Sequence, residues 1–67
     1  MKKNRDILAP IVRVIAADGR QLGLYKIVDA IRLAKRHKKD LVEIAPNANP
    51  PVVRIVDLAK YGRRRIR

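Results

Sequence analysis

Residues 11–39 read IVRVIAADGRQLGLYKIVDAIRLAKRHKK, and the spacing of their apolar side chains changes partway along. From Ile11 to Ile15, β-branched residues surround a single charge. This predicts a strand with Val12 and Val14 facing a core and Arg13 facing water. Asp18-Gly19 follows, the dipeptide that supplies the positive φ angles of a two-residue hairpin turn. A second strand from Arg20 to Leu24 would place Leu22 and Leu24 inward and Gln21 and Gly23 outward. Between Lys26 and Lys39 the period lengthens from two to about 3.6 residues. Ile27, Ala30, Ile31 and Ala34 recur on one helical face, and Arg32, Lys35, Arg36 and Lys39 on another. The predicted helix therefore carries an aliphatic stripe for a core and a basic stripe for a partner, its cations crowding the end where the helix dipole favours them.

Downstream, Asp40 to Ala45 alternates again, with Val42 and Ile44 on one face and Leu41 and Glu43 on the other, and predicts a third strand. Pro46-Asn47-Ala48-Asn49-Pro50-Pro51 follows as a stiff loop, because proline fixes φ and cannot donate to a ladder. Val52 to Asp57 reads as the fourth strand, with Val53 and Ile55 inward and Arg54 outward. Upstream, residues 1–6 are polar and basic and are expected to form a flexible arm, leaving 7–57 as the folded domain. Residues 58–67 are expected to be a basic linker or the start of a linker helix, which Gly62 weakens by about 1 kcal/mol relative to alanine. A helix joining two hairpins must cover one face of a shared sheet, and a right-handed crossover lays the first and last strands side by side and parallel. The expected fold is α+β and β-grasp-like, a four-stranded mixed sheet of order 2-1-4-3 with one helix packed across it.

A chain of 67 residues holds one domain, with a thin core built from Ile, Val, Leu and Ala because Phe and Trp are absent. Cysteine is absent, so no disulfide or thiolate metal site can form. The apolar runs are too short to span a bilayer, and no leader pattern opens the chain, so a soluble cytoplasmic protein without a membrane partner is expected. The 17 Lys and Arg residues stand against 6 Asp and Glu, a net charge of +11 that seeks a polyanion. Nucleic acid fits best, since each neutralised phosphate releases counterions without any sequence being read. Anionic lipid is the rival, and it lacks a helix with spare bulky apolar residues to insert.

The inventory argues against catalysis. Ser, Thr and Cys are all absent, removing the usual acyl-transfer nucleophiles. His37 is the lone histidine and reads as an exposed helix-end residue, and the acids are scattered singly, so neither a metal site nor a cofactor site is expected. Gly19 and Gly23 lack the pattern of a phosphate-binding loop. The basic stripe, the arm cations Lys2, Lys3 and Arg5, the outward Arg13 and Arg54, and the tail cations Lys60, Arg63, Arg64, Arg65 and Arg67 together make the candidate RNA-contacting set. Tyr61, among the tail cations, either stacks on an unpaired base or covers the end of the core, and Tyr25 is expected to pack beside the hairpin.

The stretch from Pro46 to Tyr61, PNANPPVVRIVDLAKY, resembles the P-N-A-x-P-P-V-x-[KR]-I-x-D-x-x-K-[FY] signature that closes the N-terminal domain of bacterial translation initiation factor 3. Val12-Arg13-Val14-Ile15, Asp18-Gly19, Gln21-Leu22-Gly23 and Asp40 through Pro46 match the same family in order and spacing, so the resemblance runs from Asn4 to Tyr61. It implies a non-catalytic domain that docks on the platform of the small ribosomal subunit through 16S ribosomal RNA and neighbouring ribosomal proteins, close to the initiator tRNA elbow. A monomer is expected. By the match, Arg5, Arg13, Gln21, Arg54, Lys60 and Tyr61 are the inherited contact candidates, and Asp57 fixes the strand-to-linker junction. In the family a helical linker leads on to a second domain, so this chain is either an excised domain or a free-standing relative.

The chain departs from the family where Lys35 and Arg36 replace glutamates, where Lys38 replaces a glycine, and at Leu58, Ala59 and Arg63. A lysine closing a helix in the left-handed conformation costs roughly 1 kcal/mol or more, which opens that helix end to rebuilding. Two other functions compete with the ribosomal one. The first is a general RNA- or DNA-binding module on the same scaffold, motivated by the added helix cations. The second is a β-grasp protein-interaction module that uses a sheet edge.

Overall fold

The computed structural model describes residues 2–60 of the chain. A 3-10 helix, Asn4–Asp6, precedes strand β1 (Ile11–Ile15), strand β2 (Gln21–Lys26), helix α1 (Ile27–Arg36), strand β3 (Asp40–Ala45) and strand β4 (Val52–Val56). The strands form one sheet of order β2-β1-β4-β3. Both hairpin pairs are antiparallel, and β1 and β4 run parallel at its centre. This is the α+β arrangement expected from the change of period. The helix has small side chains where it meets the sheet: Ala30 and Ala34 are fully buried against Val12, Val14, Leu41 and Val53, which let the backbones approach closely. Burying each of these aliphatic strand residues contributes roughly 1.5–3 kcal/mol. Ile27 and Ile31 flank that contact half-buried, as the helical spacing predicts, and Leu33 joins them.

Strand β2 departs from simple alternation. Val14 pairs with Gly23 and Ile15 with Gln21, so Leu22 is an extra residue and the register shifts there. Gly23 sits at φ +97°, a conformation that costs a side chain dearly. Past this bulge the faces exchange. Leu22 and Tyr25 pack against the core, while Leu24, expected inward, stands 57% exposed opposite Arg13. The hairpin turn is also longer than the two residues expected. Gly19 N–H donates to the Ala16 carbonyl at 2.9 Å and Ala16 N–H to the Arg20 carbonyl at 2.8 Å, and only Gly19 of the turn has positive φ. This is the three-residue connection whose left-handed position glycine fills.

The helix ends at Arg36, so Lys39 lies beyond it and does not extend the basic stripe. Its close is not rebuilt. Lys38 takes the left-handed conformation at φ 57°. Lys39 N–H then reaches the Ala34 carbonyl at 2.9 Å and Lys38 N–H the Lys35 carbonyl at 2.9 Å, the pair of bonds of a Schellman motif normally closed by glycine. A second bulge lies in β3 between Glu43 and Ala45, and Ile44 is left 46% exposed. Leu41 and Val42, expected on opposite faces, are both buried.

Residues 2–6, expected as a free arm, are bonded along the edge of β3. Lys3 bridges Val42, and Glu43 N–H donates to the Lys2 carbonyl at 2.9 Å. Asn4 makes the clasp. Its side-chain amide donates to Asp40 Oδ1 at 3.0 Å while its carbonyl oxygen accepts from Leu41 N–H at 3.0 Å. Ile7, 3% exposed, then anchors the segment in the core. At the other end β4 stops at Val56, and Asp57 Oδ1 accepts from the backbone N–H groups of Ala59 at 3.1 Å and Lys60 at 3.5 Å. Asp57 thus caps the helical turn at residues 58–60, the junction role implied by the resemblance.

Candidate nucleic-acid interface

The candidate contact residues divide between the two faces of the sheet. Because Val12, Val14, Val53 and Ile55 point toward α1, their neighbours Arg13 and Arg54 emerge on the opposite, uncovered face. The parallel register pairs Arg13 with Val52 and Ile15 with Arg54, so the two arginines are diagonal neighbours on adjacent strands. Gln21 joins them from β2, opposite Ile15. All three are exposed. Arg54 Nη2 donates to the Ala17 carbonyl at 3.2 Å, which holds the guanidinium beside the β1–β2 turn and leaves other N–H donors outward. Around them stand Ile11 and Leu24, 40% and 57% exposed, and Lys26 opposite Ile11. The sheet thus offers guanidinium forks set in an aliphatic surface.

The second group lies on α1. Arg32, Lys35 and Arg36 are exposed on the helix that covers the other face. Arg32 Nη1 is 3.6 Å from Asp29 Oδ1, and Lys35 Nζ is 2.9 Å from Asp40 Oδ1. Surface pairs of this kind contribute at most about 1 kcal/mol, so either cation can exchange its carboxylate for a phosphate. Arg36 has no ion pair among the described residues. Asp40 is more firmly held: the Asn4 amide, and after it the Lys35 ammonium, keep its carboxyl below the usual carboxylate range. Arg5 is exposed next to that clasp, and Lys60 is exposed at the end of the capped turn. Tyr61, Arg63, Arg64, Arg65 and Arg67 lie outside the described residues.

The arrangement therefore gathers Arg13, Gln21 and Arg54 on one side and Arg32, Lys35 and Arg36 on the other. Lys39 is half-buried at the helix end, apart from both. Sequence reading missed Lys26 on the sheet face and Arg20 on the hairpin. Arg20 Nε lies 3.1 Å from Asp18 Oδ2, and the Arg20 backbone N–H, first, and its side chain hold the Asp18 carboxyl below its ordinary value. The signal for Lys26 was its place two residues beyond Leu24, on the same face, which the bulge hid. Among the described residues no three His, Asp or Glu side chains gather as a metal site, and no helix is long and apolar enough to cross a membrane.

Residues 3–64 match the family model described as "Translation initiation factor IF-3, N-terminal domain". Among curated proteins, the translation initiation factor IF-3 of Ralstonia nicotianae is 52% identical over 58 residues, covering 87% of this chain and 33% of the relative. That of Elusimicrobium minutum is 48% identical over 61 residues, 91% of this chain and 34% of the relative. That of Chlamydia muridarum is 51% identical over 61 residues, again 91% of this chain and 33% of the relative. The chain thus spans about a third of the length of the curated relatives it matches.

Proposed function

Since the chain belongs to the family of the N-terminal domain of translation initiation factor IF-3, we propose that it serves translation initiation by binding the small ribosomal subunit without catalysis. The family match over residues 3–64 carries this reading. The net charge of +11 and the display of cations on exposed positions support it, because ribosomal RNA is a folded polyanion. In this reading residues 7–57 are the docking body, 1–6 contribute the basic edge, and 58–67 are the basic linker. The partner surface is 16S ribosomal RNA with the proteins of the subunit platform, close to the initiator tRNA elbow, and the chain acts there as a cytoplasmic monomer without cofactor or membrane.

Each candidate residue takes a role in this reading. Arg13, Gln21 and Arg54 form one contact set on the uncovered sheet face, and Arg5, Lys60 and Tyr61 add the contacts that the family resemblance implies. Arg32, Lys35 and Arg36 form a second set, Lys39 adds a charge at the helix end, and Arg63, Arg64, Arg65 and Arg67 bind phosphates from the tail. Guanidinium groups suit this work because their planar forks meet phosphate oxygens in pairs. No bond is made or broken in it, which agrees with the absence of Ser, Thr and Cys from the chain. The test is cosedimentation with small subunits at graded salt. Binding that weakens as salt rises and resists competition by random duplex is the expected result. No binding at low salt removes the proposal, and equal competition by random duplex replaces it with a general nucleic-acid binder.

A further inference from the structure

A groove of about 470 Å³ opens between the β1–β2 turn, the inward face of β2 and the C-terminal end of α1. Neither contact set described above reaches it, Lys39 excepted. Leu22, Leu33 and Ile55 make an apolar floor, and Tyr25 lines the same space. Tyr25 is the sole Phe, Tyr or Trp side chain among the described residues. The rim is polar: Asp18 and Arg20 come from the hairpin, His37 and Lys39 from the helix end. Two features of the chain place these groups together. The bulge at Leu22-Gly23 turns Tyr25 to the helix side, and the left-handed Lys38 brings the chain back so that Lys39 faces the hairpin across the groove.

We propose that this groove takes one unpaired nucleotide of RNA, its base against Tyr25 and the apolar floor and its phosphate between Arg20 and Lys39. The inference rests on the RNA-binding reading above but, Lys39 apart, uses different residues. Its size falls in the range of roughly 300–1,000 Å³ typical of small-ligand sites. An aromatic ring beside an aliphatic floor suits a splayed base, which is how single-stranded RNA is usually held. The helix end presents a partial negative charge of about half an elementary unit, which opposes a phosphate, but the full charges of Arg20 and Lys39 outweigh it. The carbonyls of Ala34 and Lys35 already accept backbone N–H bonds there. Asp18 repels the phosphate less than its charge suggests because Arg20 is bonded to it, and its free lone pairs can accept from a ring N–H or an exocyclic amine of the base. A duplex does not fit, since its bases stay stacked within the helix.

The test follows the backbone amide resonances of the 67-residue chain during titration with a single-stranded RNA hexanucleotide, with the duplex of the same sequence, and with polyglutamate. The single strand is expected to move the amides of Ala17, Arg20 and His37, while the duplex and polyglutamate leave them in place. Tyr25→Leu and Lys39→Gln each weaken hexanucleotide binding roughly tenfold, the effect of removing one stacking ring or one phosphate-binding cation, and Tyr25→Phe retains it. Groove amides that stay fixed with the single strand, or that move equally with duplex or polyglutamate, overturn the inference. So does equal affinity of the parent chain, Tyr25→Leu and Lys39→Gln. Cosedimentation measured in parallel separates the two readings. Intact subunit binding with an unresponsive groove removes this site alone, whereas groove shifts without subunit binding remove the ribosomal proposal alone.

Discussion

Lys38 occupies the left-handed region that most L-residues avoid, and it does so to let two backbone N–H groups close the helix. The cost is confined to one residue, so removing its Cβ should recover it. Lys38→Gly is expected to raise stability by about 1 kcal/mol, read as a higher urea midpoint at unchanged slope. A lower midpoint would mean that the lysine side chain contributes more than its backbone loses. Asn4, also left-handed at φ 49°, is better suited to that region and bonds both Asp40 and Leu41. This clasp gives the fold a pH dependence. Asp40 has a folded pKa depressed below its ordinary 3.8 by Asn4 and Lys35, so its contribution is fully present above that value and is lost as pH falls through the folded pKa. The stability gap between the parent chain and Asp40→Asn should therefore be widest near neutral pH and shrink below pH 3.8. A gap that does not change with pH in urea titrations would show that the carboxylate charge contributes nothing.

Among the elements, β2 is where local pattern and tertiary register part company. Strict alternation would bury Leu24 along with Leu22, whereas the bulge keeps Leu22 inward, exposes Leu24 and turns Tyr25 inward in its place. Leu24→Gln is accordingly expected to change stability by less than about 0.5 kcal/mol, while Leu22→Gln, which puts an amide against the core, costs about 1–3 kcal/mol. Thermal denaturation of the two variants decides the matter, and equal losses at the two positions would restore simple alternation. Gly23→Ala adds a separate check. Beyond its own chain neighbours, nothing stands within 4 Å of the added Cβ, so any loss of stability comes from the φ of +97° and not from crowding.

For the whole molecule, the sheet sets two groups of cations back to back. Arg13 and Arg54 share no partner with Arg32 and Arg36, so charge removal on the two faces should combine without coupling. Arg13→Gln with Arg54→Gln is expected to flatten the log–log salt dependence of RNA binding by about 0.9 for each phosphate left unneutralised on duplex-like RNA. Adding Arg32→Gln and Arg36→Gln should lower affinity for small subunits further, by the amount measured for the helix pair alone. Should the helix pair leave affinity and salt slope untouched, the helix face is solvated surface and the sheet face does the binding.

The order of the four strands and the helix, the β-grasp-like topology and the excess of positive charge were legible in the chain because they depend on near neighbours and on summed charge. Val12 with Val14 and Val53 with Ile55 alternate within single strands, Ala30 and Ala34 repeat within one helix, and net charge is independent of folding. Tertiary structure alone decided the bulge that exposes Leu24, the binding of Asn4 to Asp40, the division of cations between two faces, and the groove around Tyr25. Each depends on pairing between separate elements, at its widest the 36 positions that separate Asn4 from Asp40, and a hydrogen bond of that span leaves no local period by which to read it.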